Sequence, residues 1–231
     1  MKNFLFIFSL AAFISSCCTQ KANSQDVVFK NFTDTVSYMI GTDIAKSFQT
    51  NNIDINSEML FAGIRDIMGG KTDRFTQEQF QTVMGRFQKD MQQKQQAESA
   101  KQALINKEKG KAFMDENKKK EGVMQTASGL QYKILRDATG PKPTAANTVK
   151  VNYEGKLIDG TIFDSSYERG QPAEFGLGQV IKGWTEGLQL MSVGSMYEFV
   201  IPSDLAYGDR GMQTIQGGST LIFKVELLEI K

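Results

Sequence analysis

Val149-Lys150-Val151-Asn152-Tyr153-Glu154-Gly155 alternates apolar and polar side chains over its first five residues, and Asp159-Gly160 stands between it and Thr161-Ile162-Phe163-Asp164-Ser165-Ser166. A period of two places every second side chain on one face of a strand, and Asp-Gly favours the tight turn of a hairpin. The stretch predicts two paired strands. The same alternation occurs upstream in Leu130-Gln131-Tyr132-Lys133-Ile134, and further strands are predicted at Met196–Ile201 and Thr220–Ile230. Between them Gly183–Met191 reads as a short helix with Trp184, Leu188 and Met191 on one side. One short helix among several antiparallel strands predicts an α+β fold, a curved sheet wrapped on a helix.

Upstream of this region the pattern is helical. All four prolines lie at or after Pro141. Val36, Met39, Ile40, Ile44 and Phe48 recur at helical spacing, with Thr33 or Asp34 as the expected cap. A second helix is expected from Asn56 to a stop at Gly69-Gly70, and a third from Thr76, with Gln79 completing a capping box. Phe80, Val83, Met84, Phe87 and Met91 mark one face of the third, after which apolar residues thin out. Read as one helix to Glu121 it would be about 70 Å long at 1.5 Å per residue. The alternative is a shorter helix and a flexible linker. Six phenylalanines in so small a helical body exceed what it can bury alone, which predicts a homodimer.

The first segment reads as an address. Met1-Lys2-Asn3 carries one charge, and Phe4–Ile14 is almost wholly apolar. That run is about half the ~20 residues a membrane-spanning helix needs, so it reads as a secretion signal. Ile14-Ser15-Ser16 places small residues ahead of Cys17, in the manner of a bacterial lipoprotein signal, with Cys17 the lipidated residue. The expected organisation is a signal peptide over 1–16, a flexible tether over 17–32, a helical dimerisation domain with connecting helix over 33–122, and a sheet domain over 123–231. The expected location is the bacterial cell envelope, lipid-anchored, facing the periplasm or the cell surface.

Composition excludes much chemistry. The chain has 231 residues, no histidine, and two cysteines that are adjacent, Cys17 and Cys18. Imidazole acid–base catalysis, histidine-ligated metals, a disulfide framework and a cysteine zinc site are therefore excluded. A net charge of +1 gives no field for nucleic acid. No cofactor or metal is expected.

Five motifs then stand in order: Val151-Asn152-Tyr153-Glu154-Gly155, Gly160–Ser166, Val180-Ile181-Lys182-Gly183-Trp184-Thr185-Glu186-Gly187-Leu188, Ile201-Pro202 with Leu205-Ala206-Tyr207-Gly208, and Leu221–Leu228. Together they resemble the FKBP-type peptidyl-prolyl cis-trans isomerases, from about Val123 to Lys231. The helical region, with Ser37-Tyr38-Met39-Ile40-Gly41, resembles the N-terminal dimerisation domain of Mip-type isomerases. The resemblance implies a non-covalent reaction that needs neither His nor Cys, on unfolded or partly folded proline-containing polypeptides. It implies pocket walls from Tyr153, Phe163, Val180, Ile181, Trp184, Tyr207 and Phe223, with Trp184 as the floor. The Ile181 N–H and the Tyr207 hydroxyl would hold substrate carbonyls. Asp164 would lie nearest the rotating amide, paired with Arg169, and Ile215 would line the pocket from a late loop. Two departures stand out. Ala173 replaces a common aromatic, which predicts a wider pocket there, and Gln216-Gly217-Gly218 replaces a proline-containing turn, which predicts a more mobile flap. A chaperone or binding module with little catalysis, and a structural envelope protein working through its helical arm, are the alternative readings.

Overall fold

The computed structural model describes residues 27–231; the signal segment, Cys17 and most of the tether lie outside the described residues. The described residues form two compact units, one ending at Asp73 and the other Arg74–Lys231.

The first unit holds α1 (Phe32–Thr50) and α2 (Ser57–Met68). The cap of α1 is Asn31, not Thr33 or Asp34: the Asn31 side chain accepts from Asp34 N at 2.9 Å. Asn is among the strongest N-caps, and its position one residue before Phe32 takes the first free N–H groups. Phe29 packs edge-on against Tyr38, so the last residues before α1 are tied to it. Both helices end alike. Asn52 (φ 50°) and Gly70 (φ 76°) take left-handed conformations, and Ile53 N and Lys71 N reach back to Phe48 O and Asp66 O. These paired reverse bonds satisfy the last carbonyls. Neither helix buries a residue.

The second unit opens with α3 (Gln77–Asn117), one continuous helix of 41 residues, about 62 Å at 1.5 Å per residue. Thr76 and Gln79 form the expected capping box. The buried residues of α3 are Ala103, Gly110 and Asn117. Their spacing of seven keeps one face toward the sheet domain, and the small size of Ala103 and Gly110 brings the backbones close.

The sheet has seven strands: β1 (Val123–Gln125), β2 (Gln131–Arg136), β3 (Thr148–Leu157), β4 (Ile162–Ser165), β5 (Ala173–Gly176), β6 (Met196–Ile201) and β7 (Leu221–Ile230). Their order is β1-β2-β6-β7-β3-β4, with β5 also paired to β3, and every pairing is antiparallel. Val149, Val151, Tyr153 and Gly155 of β3 face inward, as their alternation predicts. Asp159-Gly160 makes the turn: Gly160 has φ 90°, and Asp159 Oδ1 accepts from Thr161 N at 2.9 Å. The short helix α4 (Lys182–Leu188) buries Gly183, Trp184, Gly187 and Leu188 against the sheet. Gly183 and Gly187 permit this approach, since a Cβ would lie 2.4 Å from Ile201 and 2.7 Å from Phe199 of β6.

Candidate active site

A cleft of about 530 Å³ opens where α4, the β3–β4 hairpin and the loop after β6 converge. Tyr153 comes from β3, Phe163 and Asp164 from β4, Phe175 from β5 and Phe223 from β7. Val180 and Ile181 precede α4, Trp184 lies on it, and Tyr207 and Ile215 come from the loop between β6 and β7. Nine of the ten sequence-predicted pocket residues thus line one cleft. The tenth, Arg169, stands beside it and bonds to Asp164 and Tyr153.

Phe163 and Asp164 are neighbours in one strand, and simple alternation would turn one of them away. The register explains why both reach the cleft. Gly155 pairs with Asp164 and Lys156 with Ile162, which leaves Phe163 as an extra residue in a bulge. A bulge re-aims a side chain in this way. Gly155 completes the device, because a Cβ there would lie 2.6 Å from the Phe223 ring and 2.7 Å from the Phe163 ring.

Aromatic edges make the walls. Trp184 is 4% exposed, and its ring lies 5.2 Å from Tyr153, 5.2 Å from Phe223 and 5.3 Å from Phe175, each edge-on. Edge-to-face packing of this kind fixes the ring orientations. The Trp184 indole N–H has no acceptor among the described residues. Ile181 is the N-cap of α4 and has no side-chain cap bond. Its carbonyl accepts from Trp184 N and Thr185 N.

One charged cluster stands at the cleft, besides the polar Gln179, Gln213 and Thr214 of its lining. Tyr153 Oη donates to Asp164 Oδ2 at 2.5 Å, Arg169 Nη2 donates to Tyr153 Oη at 2.8 Å, and Arg169 Nη1 donates to Asp164 Oδ1. Burial, and then the bond to Asp164, push the Tyr153 phenol above its usual range. Burial also raises the Tyr207 phenol, with the Asp164 charge adding to it.

The profile of these motifs matches two family models. Residues 140–228 match the FKBP-type peptidyl-prolyl cis-trans isomerase domain, and residues 33–134 match the domain amino terminal to it. The outer membrane protein MIP of Legionella longbeachae is 49% identical over 199 residues, covering 86% of this chain and 85% of that protein. The chain belongs to the FKBP-type peptidyl-prolyl cis-trans isomerases. A second relative, the isomerase FkpA of Aeromonas hydrophila, is 42% identical over 209 residues, covering 87% of this chain and 78% of its own. The crystal structure of FkpA from Escherichia coli superimposes with a TM-score of 0.73 at 36% identity, over 88% of this chain and 99% of that one. The two-part architecture, helices followed by an antiparallel sheet, is therefore that of this FKBP-type lineage.

Sequence reasoning did not place Phe175, Gln179, Met212, Gln213 or Thr214 in the cleft of this isomerase, though all line it. Phe175 lies in β5, whose four residues are too few for an alternation to show. Ala173 and Phe175 share one face of β5, and Phe175 packs on Trp184 and Tyr153. The expectation of a mobile flap meets a different arrangement. Gly217 and Gly218 are required by close packing: a Cβ on Gly217 would lie 1.9 Å from Asp209 O, and one on Gly218 2.1 Å from Ala103 O. The glycines let the loop approach α3.

Proposed function

We propose that this isomerase lowers the rotation barrier by holding the twisted Xaa-Pro amide in the aromatic cleft, with Trp184 beneath the proline ring. Rotation about an amide crosses ~18–20 kcal/mol because conjugation is lost in the twisted state. The twisted carbonyl is less polar than the planar one, so a water-poor apolar wall favours it relative to the ground state. Phe163, Val180, Phe223 and Ile215 supply that wall. The Ile181 N–H and the Tyr207 hydroxyl hold the carbonyls on either side. Asp164, oriented by Tyr153 and Arg169, is the charge nearest the reacting bond and acts electrostatically. A reduction of ~5–6 kcal/mol would correspond to about four decades in rate.

The observation that carries this reading is the position of one carboxylate, held by two donors, in a cleft lined by six aromatic side chains. The test is cis-to-trans exchange of a short Leu-Pro-Phe peptide, followed by NMR, with the chain from Thr19 onward and its Asp164→Ala and Trp184→Ala variants. Acceleration by the parent and a strong loss in folded variants support the reading. An unaccelerated peptide, or variants as active as the parent, would refute it.

The wider reading is an exported dimer that assists folding in the bacterial envelope, tethered through lipid on Cys17. Support comes from the apolar surface of the first unit, where Phe32, Met39, Ile40, Phe61 and Ile67 are all exposed. Phe80, Val83, Met84 and Phe87 continue the same character on α3. Patches of this kind mark association surfaces. No helix among the described residues is long and apolar enough to cross a membrane. Light scattering is expected to give twice the chain mass; monomer mass at all concentrations would sink the dimer.

A further inference from the structure

Helix α3 meets the loop between β6 and β7 at positions with no spare room. Ala103 is 3% exposed and lies against Gly217 and Gly218. Asn106 Nδ2 donates to Gly217 O at 2.9 Å. Lys107 Nζ lies 2.6 Å from Asp209 and 3.4 Å from Asp204. One turn further on, Gly110 faces Thr220, whose Oγ1 would be 2.1 Å from a Cβ at that position. Residues 103, 106, 107 and 110 share one helix face, since three- and four-residue steps return to the same side. The helix therefore holds the loop at both ends. Asp204 and Asp209 anchor its start, and Gly217, Gly218 and Thr220 its finish.

Between those anchors lie Tyr207, Met212 and Ile215, which line the cleft. Leu205 N donates to Pro202 O, and Ala206 N and Gly208 N donate to Ser203 O, so the start of the loop is tied down, but its tip, residues 209–216, has few bonds of its own. Met212 and Ile215 exchange backbone hydrogen bonds of 2.8 Å, and Gly218 N donates to Gly208 O at 2.9 Å. Met212, Gln213 and Thr214 are exposed, and Gln213 is held at φ 48°, a conformation uncommon outside glycine. A tip with so few internal hydrogen bonds opens at low free energy unless something outside it fixes its ends.

We infer that Asn106 and Lys107 are positioning residues for the isomerase site, through which α3 sets the pose of the loop bearing Tyr207 and Ile215. This rests on the reading of those two residues as substrate contacts. The helix arm is then part of the binding machinery and more than a spacer. A loop held in its working pose spares the substrate the entropy of ordering it, so the effect falls on binding more than on rotation.

The test uses the full chain with Asn106→Ala, Lys107→Met and the two combined. Lys107→Arg serves as the conservative rescue, and Lys101→Ala, on an exposed part of α3, as the control. Two readouts are taken: amide hydrogen exchange at Met212, Ile215 and Gly218, and KM and kcat on prolyl peptides. In the double variant those amides are expected to exchange about tenfold faster while β3 and β7 stay protected. KM is expected to rise about three- to tenfold with kcat within about twofold. Lys107→Arg should restore most of both, and Lys101→Ala should change neither. Unchanged loop exchange in the double variant overturns the inference, and so does faster exchange with an unchanged KM. If the parent proves inactive, the isomerase reading has failed, and KM is replaced by the Kd of a prolyl peptide read from Trp184 fluorescence, with the same two criteria.

Discussion

The phenol of Tyr153 and the carboxylate of Asp164 face each other across the β3–β4 hairpin, joined by a 2.5 Å hydrogen bond. Arg169 donates to both and lies 5.4 Å from the Tyr153 ring centre. Tyr153 is thus donor to one partner and acceptor from the other. Its phenol keeps its proton, because burial and the neighbouring carboxylate both oppose its loss. Each carboxylate oxygen of Asp164 therefore has a donor, which fixes its orientation.

Tyr153→Phe removes this bond and the one the hydroxyl accepts from Arg169, and leaves the Arg169–Asp164 pair in place. The ring contacts with Trp184 and Phe175 remain, and only the hydroxyl is lost. A hydrogen bond to a charged group is worth ~1.5–3 kcal/mol, less where water reaches it, as it does at Asp164. The expected loss in kcat/KM is about three- to tenfold, with the fold intact by circular dichroism. An unchanged rate on a Leu-Pro-Phe peptide would mean that Asp164 does not need the Tyr153 bond and that Arg169 suffices to orient it.

Gly187→Ala and Gly85→Ala should have opposite signs. Alanine favours a helix by ~1 kcal/mol over glycine. At Gly85 nothing lies within 4 Å of the new methyl, so that gain is realised. At Gly187 the methyl would lie 2.7 Å from Phe199, which has no exposed surface. Overpacking costs ~1–3 kcal/mol and outweighs the propensity gain. Urea denaturation should show Gly187→Ala less stable by up to about 2 kcal/mol and Gly85→Ala slightly more stable. Stabilisation at Gly187 would contradict the close helix–sheet packing.

These glycines also show where the sequence was readable. The alternation in β3 and the Asp-Gly turn were legible because local periodicity reports burial directly. The aromatic walls and α4 were legible through motif order. Strands β1 and β5 have only three and four residues, too short for a period to show. The inward face of α3 escaped notice because Ala103, Gly110 and Asn117 are small or polar and carry no hydrophobic stripe. The tight packing of the loop glycines was not legible because close approach by a helix over 100 residues upstream leaves no local signal. The same holds for the bulge at Phe163, which depends on the register of β3 against β4.

The pH profile should be flat across neutrality. No histidine exists to titrate there. The Tyr207 and Tyr153 phenols are raised above the ordinary value of 10.0 by burial first. A raised folded-state pKa means that the native protein holds the proton more tightly than the unfolded chain. The associated stability is fully present below pH about 10 and is lost as pH rises through the folded values. Activity that uses a protonated Tyr207 falls over the same alkaline range. kcat/KM measured from pH 6 upward is expected to hold level to about pH 10. A break below pH 9 that vanishes in Tyr207→Phe would reverse the assigned direction.

Asn117 and Gln131 knot the end of α3 to the sheet. Asn117 Nδ2 donates to Gln131 Oε1 at 2.9 Å, and Gln131 Nε2 donates to Met114 O at 2.9 Å and Gln125 Oε1 at 3.1 Å. Both side chains are buried, Gln131 at 1% exposure. Truncating Asn117 to alanine leaves Gln131 Oε1 without its donor, at a cost of ~1–3 kcal/mol. In a Gln131→Ala background the same change removes no partner, so it should cost less by about 1 kcal/mol. Neither residue lines the cleft, so kcat/KM well below the melting range should stay within about twofold of the parent. Urea denaturation of the four proteins measures the coupling. Strictly additive losses would mean that the two amides act independently.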